Sequence, residues 1–343
     1  MEDKNIFISI IIPCRNEERF IGKCLESILA QDYPREQLEI IIADGMSTDK
    51  TREILSNYAD KYNFIQCFDN PKKLAAAALN LMIPKAKGEI IIRMDAHNIY
   101  FKDYVSKSMR YLYECKADNV GGIWVTLPGA ETITAKAIAL ALSSNFGIGN
   151  ALFRTGTKKP VYTDTVPFGC YKREIFDKIG FFDEEAWRNE DDEFNLRLIK
   201  NGGKILLAPD IVSYYYARET FGKLWNMYYQ YGYFKPQSVM KLKGIFTLRQ
   251  LVPAMLTASL MILFLAGFFN KYFFLLFFVE AVIYFFINFV VSFFIAIKNK
   301  STLLPFLMIA FMAVHFSYGI GYLKGISDFI VLKKKIKDVP ITR

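Results

Sequence analysis

Gly88-Glu89-Ile90-Ile91-Ile92-Arg93-Met94-Asp95-Ala96-His97 is the stretch on which the reading of this chain turns. An apolar run that follows a glycine is the mark of a short strand covered on both faces of a parallel sheet. Such a strand delivers whatever comes next to the carboxyl edge, where ligands bind in open α/β sheets. What comes next is a carboxylate, Asp95, and two residues on an imidazole, His97. The pair suits a hard divalent cation that is itself bound to phosphate oxygens. A turn aspartate beside an exposed histidine would read the same way, so the surroundings decide.

Upstream, Phe7–Ile12 is an apolar, β-branched run closed by Pro13. A helix is expected from about Glu17, with Phe20, Ile21, Cys24, Leu25, Ile28 and Leu29 on its apolar face and Pro34 at its end. Leu38–Ala43 reads as a second buried strand ending on Asp44-Gly45-Met46-Ser47-Thr48-Asp49, with a helix from about Thr51. Ile65–Phe68 is a short third strand and Lys73–Met82 an Ala-rich helix, after which the chain enters the strand ending at Asp95. Repeated β-α units predict an α/β fold with a twisted parallel sheet and right-handed crossovers. A dinucleotide-binding dehydrogenase needs G-x-G-x-x-G after its first strand. This chain has Pro13-Cys14-Arg15-Asn16-Glu17 there and no Walker A loop. A nucleotide must then be held otherwise, with Asp44 accepting from base N–H or ribose hydroxyls and a metal at Asp95. Helix capping is the other reading of Asp44, although Ser47 or Asp49 would serve that purpose too.

Downstream, Asn119–Thr126 reads as a further strand. Ile133–Leu142, Ala-rich and nearly uncharged, packs on the sheet or lies at a membrane interface. Val166-Pro167-Phe168-Gly169-Cys170 is a turn suited to bringing backbone close to a ligand. Arg188-Asn189-Glu190-Asp191-Asp192-Glu193 opens a helix that reaches Gly202-Gly203, with Asn189 as N-cap and acids in the first turn, where the dipole favours them. Four consecutive carboxylates repel one another, which raises the pKa of at least one and suits it to general base work. A solvated acidic cap is the bland alternative.

The 343 residues suffice for one large domain plus an appendage. Five scattered cysteines without C-x-x-C spacing argue against a disulfide framework or a zinc site and fit a reducing compartment. Met1–Asn5 is polar and runs straight into a strand, so no signal peptide is expected. From Leu251 the composition changes. Residues 251–269 carry no charge and reach about 28 Å as a helix; residues 272–297 carry only Glu280, and residues 303–323 contain His315. Three such runs predict a membrane domain over 236–343 behind a catalytic domain over 1–235. The net charge of +9 then fits an anionic membrane surface or phosphorylated substrates equally well. Nucleic acid is disfavoured, because the basic residues flank the apolar runs. Thr247-Leu248-Arg249-Gln250 puts positive charge beside the catalytic domain, which is therefore expected to be cytoplasmic. Lys298-Asn299-Lys300 and Lys333-Lys334-Lys335 with Lys337 both favour that side, yet three full crossings would separate them. Either the rule fails at one end or one run is re-entrant or interfacial. Glu280 and His315, costly at bilayer depth, are either functional or, the plainer expectation, paired with each other to lock the bundle.

Taken together, these motifs resemble the family 2 glycosyltransferases of GT-A fold. The nearest group is the membrane-attached enzymes of the succinoglycan type, which build exopolysaccharide repeat units on a lipid carrier. The resemblance covers roughly Ile8 to Lys235 and continues in His315-Phe316-Ser317-Tyr318-Gly319-Ile320-Gly321. It implies that the P-x-x-N-E segment, Pro13, Asn16 and Glu17, frames a nucleotide pocket and that Asp44 contacts uracil. The D-x-D element falls on Asp95 and His97, with His97 in place of the second aspartate, and implies Mg²⁺ or Mn²⁺ together with the donor diphosphate. The E-D element falls on Glu190 and Asp191, with Asp191 as base. Gln230-Tyr231-Gly232-Tyr233-Phe234 lacks the Arg and Trp of a Q-x-x-R-W motif, which argues against processive polymerisation. Asn80 and Arg93 are assigned to the donor, and Phe168, Gly169, Arg218, Gln230 and Lys235 to acceptor or gating roles. The activity implied is inverting transfer from a UDP-sugar to a polyprenyl-linked acceptor at the cell membrane. The alternatives are a polyprenyl-phosphate sugar synthase and a non-catalytic nucleotide-sugar-binding scaffold.

Overall fold

The structure, a computed structural model, describes residues 6–186, 188–242 and 250–334. Arg249, Lys335 and Lys337, which enter the orientation argument, and Met1–Asn5 lie outside the described residues. By its contacts the chain forms two compact units, Met1–Val125 with Leu152–Tyr215, and Thr126–Ala151 with Tyr216–Arg343.

The first unit holds the sheet. Its opening half follows the sequence closely: β1 (Ile8–Cys14), α1 (Ile21–Leu29), β2 (Leu38–Asp44), α2 (Thr51–Lys61), β3 (Ile65–Asp69), α3 (Ala75–Met82) and β4 (Ile90–Arg93). Strands β1 and β2, β2 and β3, and β1 and β4 pair in parallel. Alternation along the strands sends Ile10, Ile12, Ile40, Ile42 and Ile92 to one core and Ile11, Ile41 and Ile91 to another, so both faces are covered. Gly88 is required where it stands: a Cβ there would meet the Ser9 backbone nitrogen at 2.5 Å. Its N–H donates instead to Ser9 Oγ at 2.8 Å.

Beyond β4 the sheet departs from the expected all-parallel arrangement. The chain turns through Met94–His97 into β5 (Asn98–Tyr100), followed by α4 (Tyr104–Glu114) and β6 (Asn119–Leu127). After Leu152 come α5 (Leu152–Thr155), β7 (Val161–Tyr162), β8 (Cys170–Lys172), α6 (Glu174–Ile179), α7 (Glu190–Lys200) and β9 (Ile205–Tyr216). The strand order is β3-β2-β1-β4-β8-β6-β9-β5, with β7 on β9. Because β5 re-enters at the far edge, no helical crossover returns beside β4. Its neighbour is β8, antiparallel to both β4 and β6.

The second unit is helical, containing α8 (Ile133–Leu142), α9 (Asn145–Ile148), α10 (Phe221–Leu242), α11 (Val252–Gly267), α12 (Lys271–Asn299) and α13 (Leu304–Gly325). Two helical segments, Lys271–Asn299 and Ser301–Val331, are long and apolar enough to cross a membrane. The run 251–269 forms a helix of only 16 residues. Helix α13 meets α10 with little between the backbones: a Cβ on Gly321 would lie 2.2 Å from the Tyr229 carbonyl oxygen, and one on Gly232 2.1 Å from that of Tyr318. Glu280 and His315 do not pair as expected. Glu280 accepts from Ser259 Oγ. The His315 imidazole lies 2.7 Å from the Phe146 carbonyl oxygen and 3.1 Å from the Tyr284 hydroxyl. Each polar group thus finds a partner on the helix packed directly against it.

Candidate active site

Three loops at the carboxyl ends of β1, β2 and β4 build the site. The first two are laced together. Asn16, at φ 53°, donates its N–H to Ser47 Oγ and accepts from the Thr48 N–H through Oδ1, both at 2.8 Å. The Glu17 N–H donates to Thr51 Oγ1 at 2.8 Å. Asp44 is buried, 3% exposed. Its carboxylate accepts from the Ser47 N–H and hydroxyl and from Arg52 Nη1 at 2.8 Å. It therefore caps no helix; Asp49 accepts from the Thr51 N–H at 3.0 Å instead. Pro13 sits in β1 opposite Ala43.

The loop after β4 is joined to the other motifs by Arg93. This buried guanidinium places Nε 3.3 Å from Asp95 Oδ1 and Nη2 3.1 Å from Glu190 Oε1, so residues almost a hundred positions apart share one cation. Its backbone N–H donates to the Gly169 carbonyl at 3.0 Å, which brings the Phe168–Gly169 turn alongside. Phe168 holds φ 50°, a left-handed conformation costly for a bulky residue. A Cβ on Gly169 would collide with the Tyr171 ring at 2.2 Å. His97 Nδ1 lies 3.3 Å from Glu17 Oε1, linking the first loop to the third.

Glu190 and Asp191 open α7, where the unpaired N–H groups of the first turn favour anions. Asn189 occupies the cap position, but its side chain makes no capping bond. Asp191 accepts from the Asp192 N–H at 2.8 Å. Its pKa is pushed up to about 7, chiefly because burial strips its hydration, then because Asp192 and Glu190 crowd it with like charge; Arg93 acts in the opposite sense. One of the four acids is tuned as a base requires.

Asn80 is engaged with Phe182, whose N–H it accepts at 3.0 Å and whose carbonyl it donates to at 2.8 Å. Arg218, Gln230 and Lys235 belong to the second unit. Tyr100 is a residue that spacing did not reveal. Buried, it accepts the Asp95 N–H at 2.7 Å and so pins the backbone that carries the carboxylate.

For a divalent metal the fit is that of a shared site. Among the described residues no group of three or more His, Cys, Asp and Glu side chains could hold an ion. Asp95 and His97 supply one carboxylate and one imidazole, the kind of partial set that Mg²⁺-type sites complete with substrate phosphates.

Carboxylates gathered at the carboxyl ends of parallel strands without a glycine-rich phosphate loop, on a mixed sheet of this order, define a nucleotide-sugar-dependent transferase of GT-A fold. The chain belongs to glycosyltransferase family 2: the family profile "Glycosyl transferase family 2" matches residues 9–180. A Methanococcus voltae relative, dolichyl N-acetyl-alpha-D-glucosaminyl phosphate 3-beta-D-2,3-diacetamido-2,3-dideoxy-beta-D-glucuronosyltransferase, is 34% identical over 255 residues, 72% of this chain and 78% of that protein. The succinoglycan biosynthesis protein ExoA of Rhizobium meliloti is 32% identical over 246 residues, 71% of this chain and 73% of ExoA. Among solved structures, the mannosyltransferase PcManGT from Pyrobaculum calidifontis in complex with GDP-Man and Mn²⁺ superposes with a TM-score of 0.61 at 16% identity, covering 95% of this chain and 88% of that one. The expected family and fold are thereby borne out. The protein acts on nucleotide sugars in polysaccharide or glycoconjugate biosynthesis.

Proposed function

We propose that this enzyme transfers a sugar, with inversion, from a nucleotide diphosphate sugar to a hydroxyl of a polyprenyl-linked acceptor at the cytoplasmic face of the cell membrane. The donor is a UDP-sugar, as the resemblance at Asp44 implies. The observation that carries the reading is Arg93, which ties Asp95 at the donor-side loop to Glu190 beside the high-pKa Asp191. The residue next to the base and a group for a donor diphosphate are thus held by one buried cation. Asp191 takes the acceptor proton as the oxygen attacks the anomeric carbon opposite the leaving nucleotide. Asp44 and the laced loops after β1 and β2 hold the nucleoside, and Glu190 fixes Arg93. Mg²⁺ or Mn²⁺, held by Asp95 with His97, would neutralise charge on the departing diphosphate. The relative that names a dolichyl phosphate-linked sugar supports the lipid acceptor, and the apolar helices support a membrane setting. We further propose that the catalytic part extends to about residue 235 and the membrane part from 236 to 343.

The test is sugar transfer by detergent-purified protein offered UDP- and GDP-sugars, Mn²⁺ or Mg²⁺, and either a lipid-linked oligosaccharide extract or bare polyprenyl phosphate. Labelling of the oligosaccharide lipid, lost in Asp191→Asn and restored after EDTA only by added metal, is the expected result. Labelling of bare polyprenyl phosphate would refute the hydroxyl acceptor, and donor binding without any transfer would refute catalysis.

A further inference from the structure

A second polar cluster lies beside the metal-binding segment, and no role above absorbs it. Trp124 of β6 stacks on Tyr215 of β9 at 4.6 Å, and the Arg154 guanidinium sits 4.4 Å from the first ring and 4.7 Å from the second. Phe153 and Phe168 close around Trp124 at 5.2 and 5.1 Å, so aromatic rings pack against the half-buried indole on several sides. Tyr215 reaches His97, ring to ring, at 5.9 Å. It is also the sheet partner of Asn98, whose side chain therefore points to the same face. Arg154 Nη1, Trp124 Nε1 and both polar atoms of the Asn98 side chain are buried without a hydrogen-bond partner among the described residues. Unmet donors in an aromatic surround are costly unless an acceptor arrives. Among the described residues Arg154, moreover, has no carboxylate partner to neutralise it.

We propose that Arg154, with Trp124 Nε1 and Asn98, receives phosphate oxygens of a substrate. The proposal rests on the sugar-transfer reading above, and the phosphate is either the donor's diphosphate or the acceptor lipid's. The aromatic walls exclude water and strengthen a charge-assisted contact. Full-length protein in detergent separates the sources. With Arg154→Met, UDP binding weakened about tenfold or more while uridine binding holds assigns the donor diphosphate. UDP binding unchanged with a tenfold rise in KM for the lipid-linked acceptor assigns the acceptor phosphate. No change in either, in a variant that melts like the wild type, overturns the proposal. Should Arg154→Met fail to fold, the wild type decides: UDP, or polyprenyl phosphate in micelles, must alter tryptophan fluorescence, and Trp124→Phe must abolish that change. Wild-type protein that binds no nucleotide at all would instead refute the sugar-transfer reading.

A different set of contacts, all within the helical unit, bears on the membrane. Helices α11 and α12 form an antiparallel hairpin, with Gly267 against Phe274 near the tip and Ser259 bonded to Glu280 farther down. Met308 of α13 meets Asn288, His315 and Phe316 meet Tyr284, and Gly319 meets Pro253 and Thr257. About 16 Å of α13 thus passes a band of hairpin roughly one turn deep, so α13 crosses the hairpin base instead of running along it. Its other side follows α10, a helix carrying Lys223, Lys235 and Lys241, through the Gly232 and Gly321 contacts. Lys300 shares a cavity of about 300 Å³ with Thr126, Lys136 and Ser143 around α8. The tip is apolar and bare, with Phe268 68% and Phe269 92% exposed.

We infer that the hairpin α11–α12 alone crosses the bilayer, its apolar surface covered by lipid hydrocarbon, and that α13 lies at its cytoplasmic base among protein helices. Lys298, Lys300, Lys324, Lys333 and Lys334 then all fall on one side, which removes the conflict with the positive-inside rule. The test is labelling of intact and permeabilised cells with a membrane-impermeant maleimide, using Asn270→Cys, Lys300→Cys and Lys334→Cys in a Cys67→Ser/Cys115→Ser background. Asn270→Cys should react from outside, and the other two only after permeabilisation. External reaction at position 300 or 334, or none at 270, overturns the topology.

Discussion

Replacing Asp191 by Asn should destroy activity and raise stability, and the two effects together distinguish a catalytic base from a structural acid. The carboxyl titrates near 7 in the folded protein against 3.8 without perturbation. Three units at 1.36 kcal/mol each set a ceiling of about 4 kcal/mol on what the charge costs the fold. Asp191 keeps partial contact with solvent, and its neighbours can relax, so about 1–2 kcal/mol is expected. The sign follows from linkage. Between pH 4 and 7 the folded state binds the proton that the unfolded state has released, so the wild type loses stability as pH rises through that window. Asn carries no charge and keeps the oxygen that accepts the Asp192 N–H. The variant's advantage should be absent near pH 4, grow to pH 7 and hold above it, about 2–4 °C in Tm per kcal/mol. Transfer should fall about 10²–10⁴-fold with UDP affinity retained. Thermal melts at pH 4, 6 and 8 beside a transfer assay decide it. A variant less stable than wild type at pH 8 would show that the charge is held by favourable contacts, and the reasoning would fail.

Arg93→Met leaves Glu190 buried and Asp95 half-buried without their shared cation. A loss of about 3–5 kcal/mol at pH 8, smaller at pH 5 where carboxylates can take protons, should appear in denaturant melts. The same change removes a positive neighbour of Asp191, so the acidic limb of any residual pH–rate profile should move upward. Tyr100→Phe strips the Asp95 N–H of its acceptor and should cost about 1–3 kcal/mol, with Mn²⁺-dependent UDP binding, measured by calorimetry, weakened more than metal-free binding. Gly321→Ala drives a methyl into the Tyr229 carbonyl and should lower detergent stability by about 1–3 kcal/mol or more, with UDP affinity of the surviving folded fraction unchanged.

Legibility followed sequence distance. Strands β1, β2 and β4 were readable because each is a run of isoleucine ended by a turn signal, and local chemistry sets such elements. The all-parallel expectation failed beyond β4, where β8 is three residues long and gains its place from the chain's departure into β5, not from any pattern of its own. The acid-to-base reading of Asp191 was available from four neighbouring carboxylates, since charge crowding is local. That Asp191 is the one raised depended chiefly on burial, which is not written near residue 191. Glu280 and His315 do not pair because Ser259 and Tyr284, on the helices packed against them, lie within hydrogen-bond distance.

The sequence alone determined the strand-helix alternation, the carboxylates at three strand or helix ends, the three apolar runs and the family, because these depend on residue type and short spacing. Tertiary structure decided that Arg93 joins Asp95 to Glu190, that Tyr100 holds Asp95 in place, that Arg154 is walled by Trp124 and Tyr215, and that α13 lies across the hairpin. Each of those is a meeting of residues far apart in the chain, and only the packing of the whole brings them within a few ångströms.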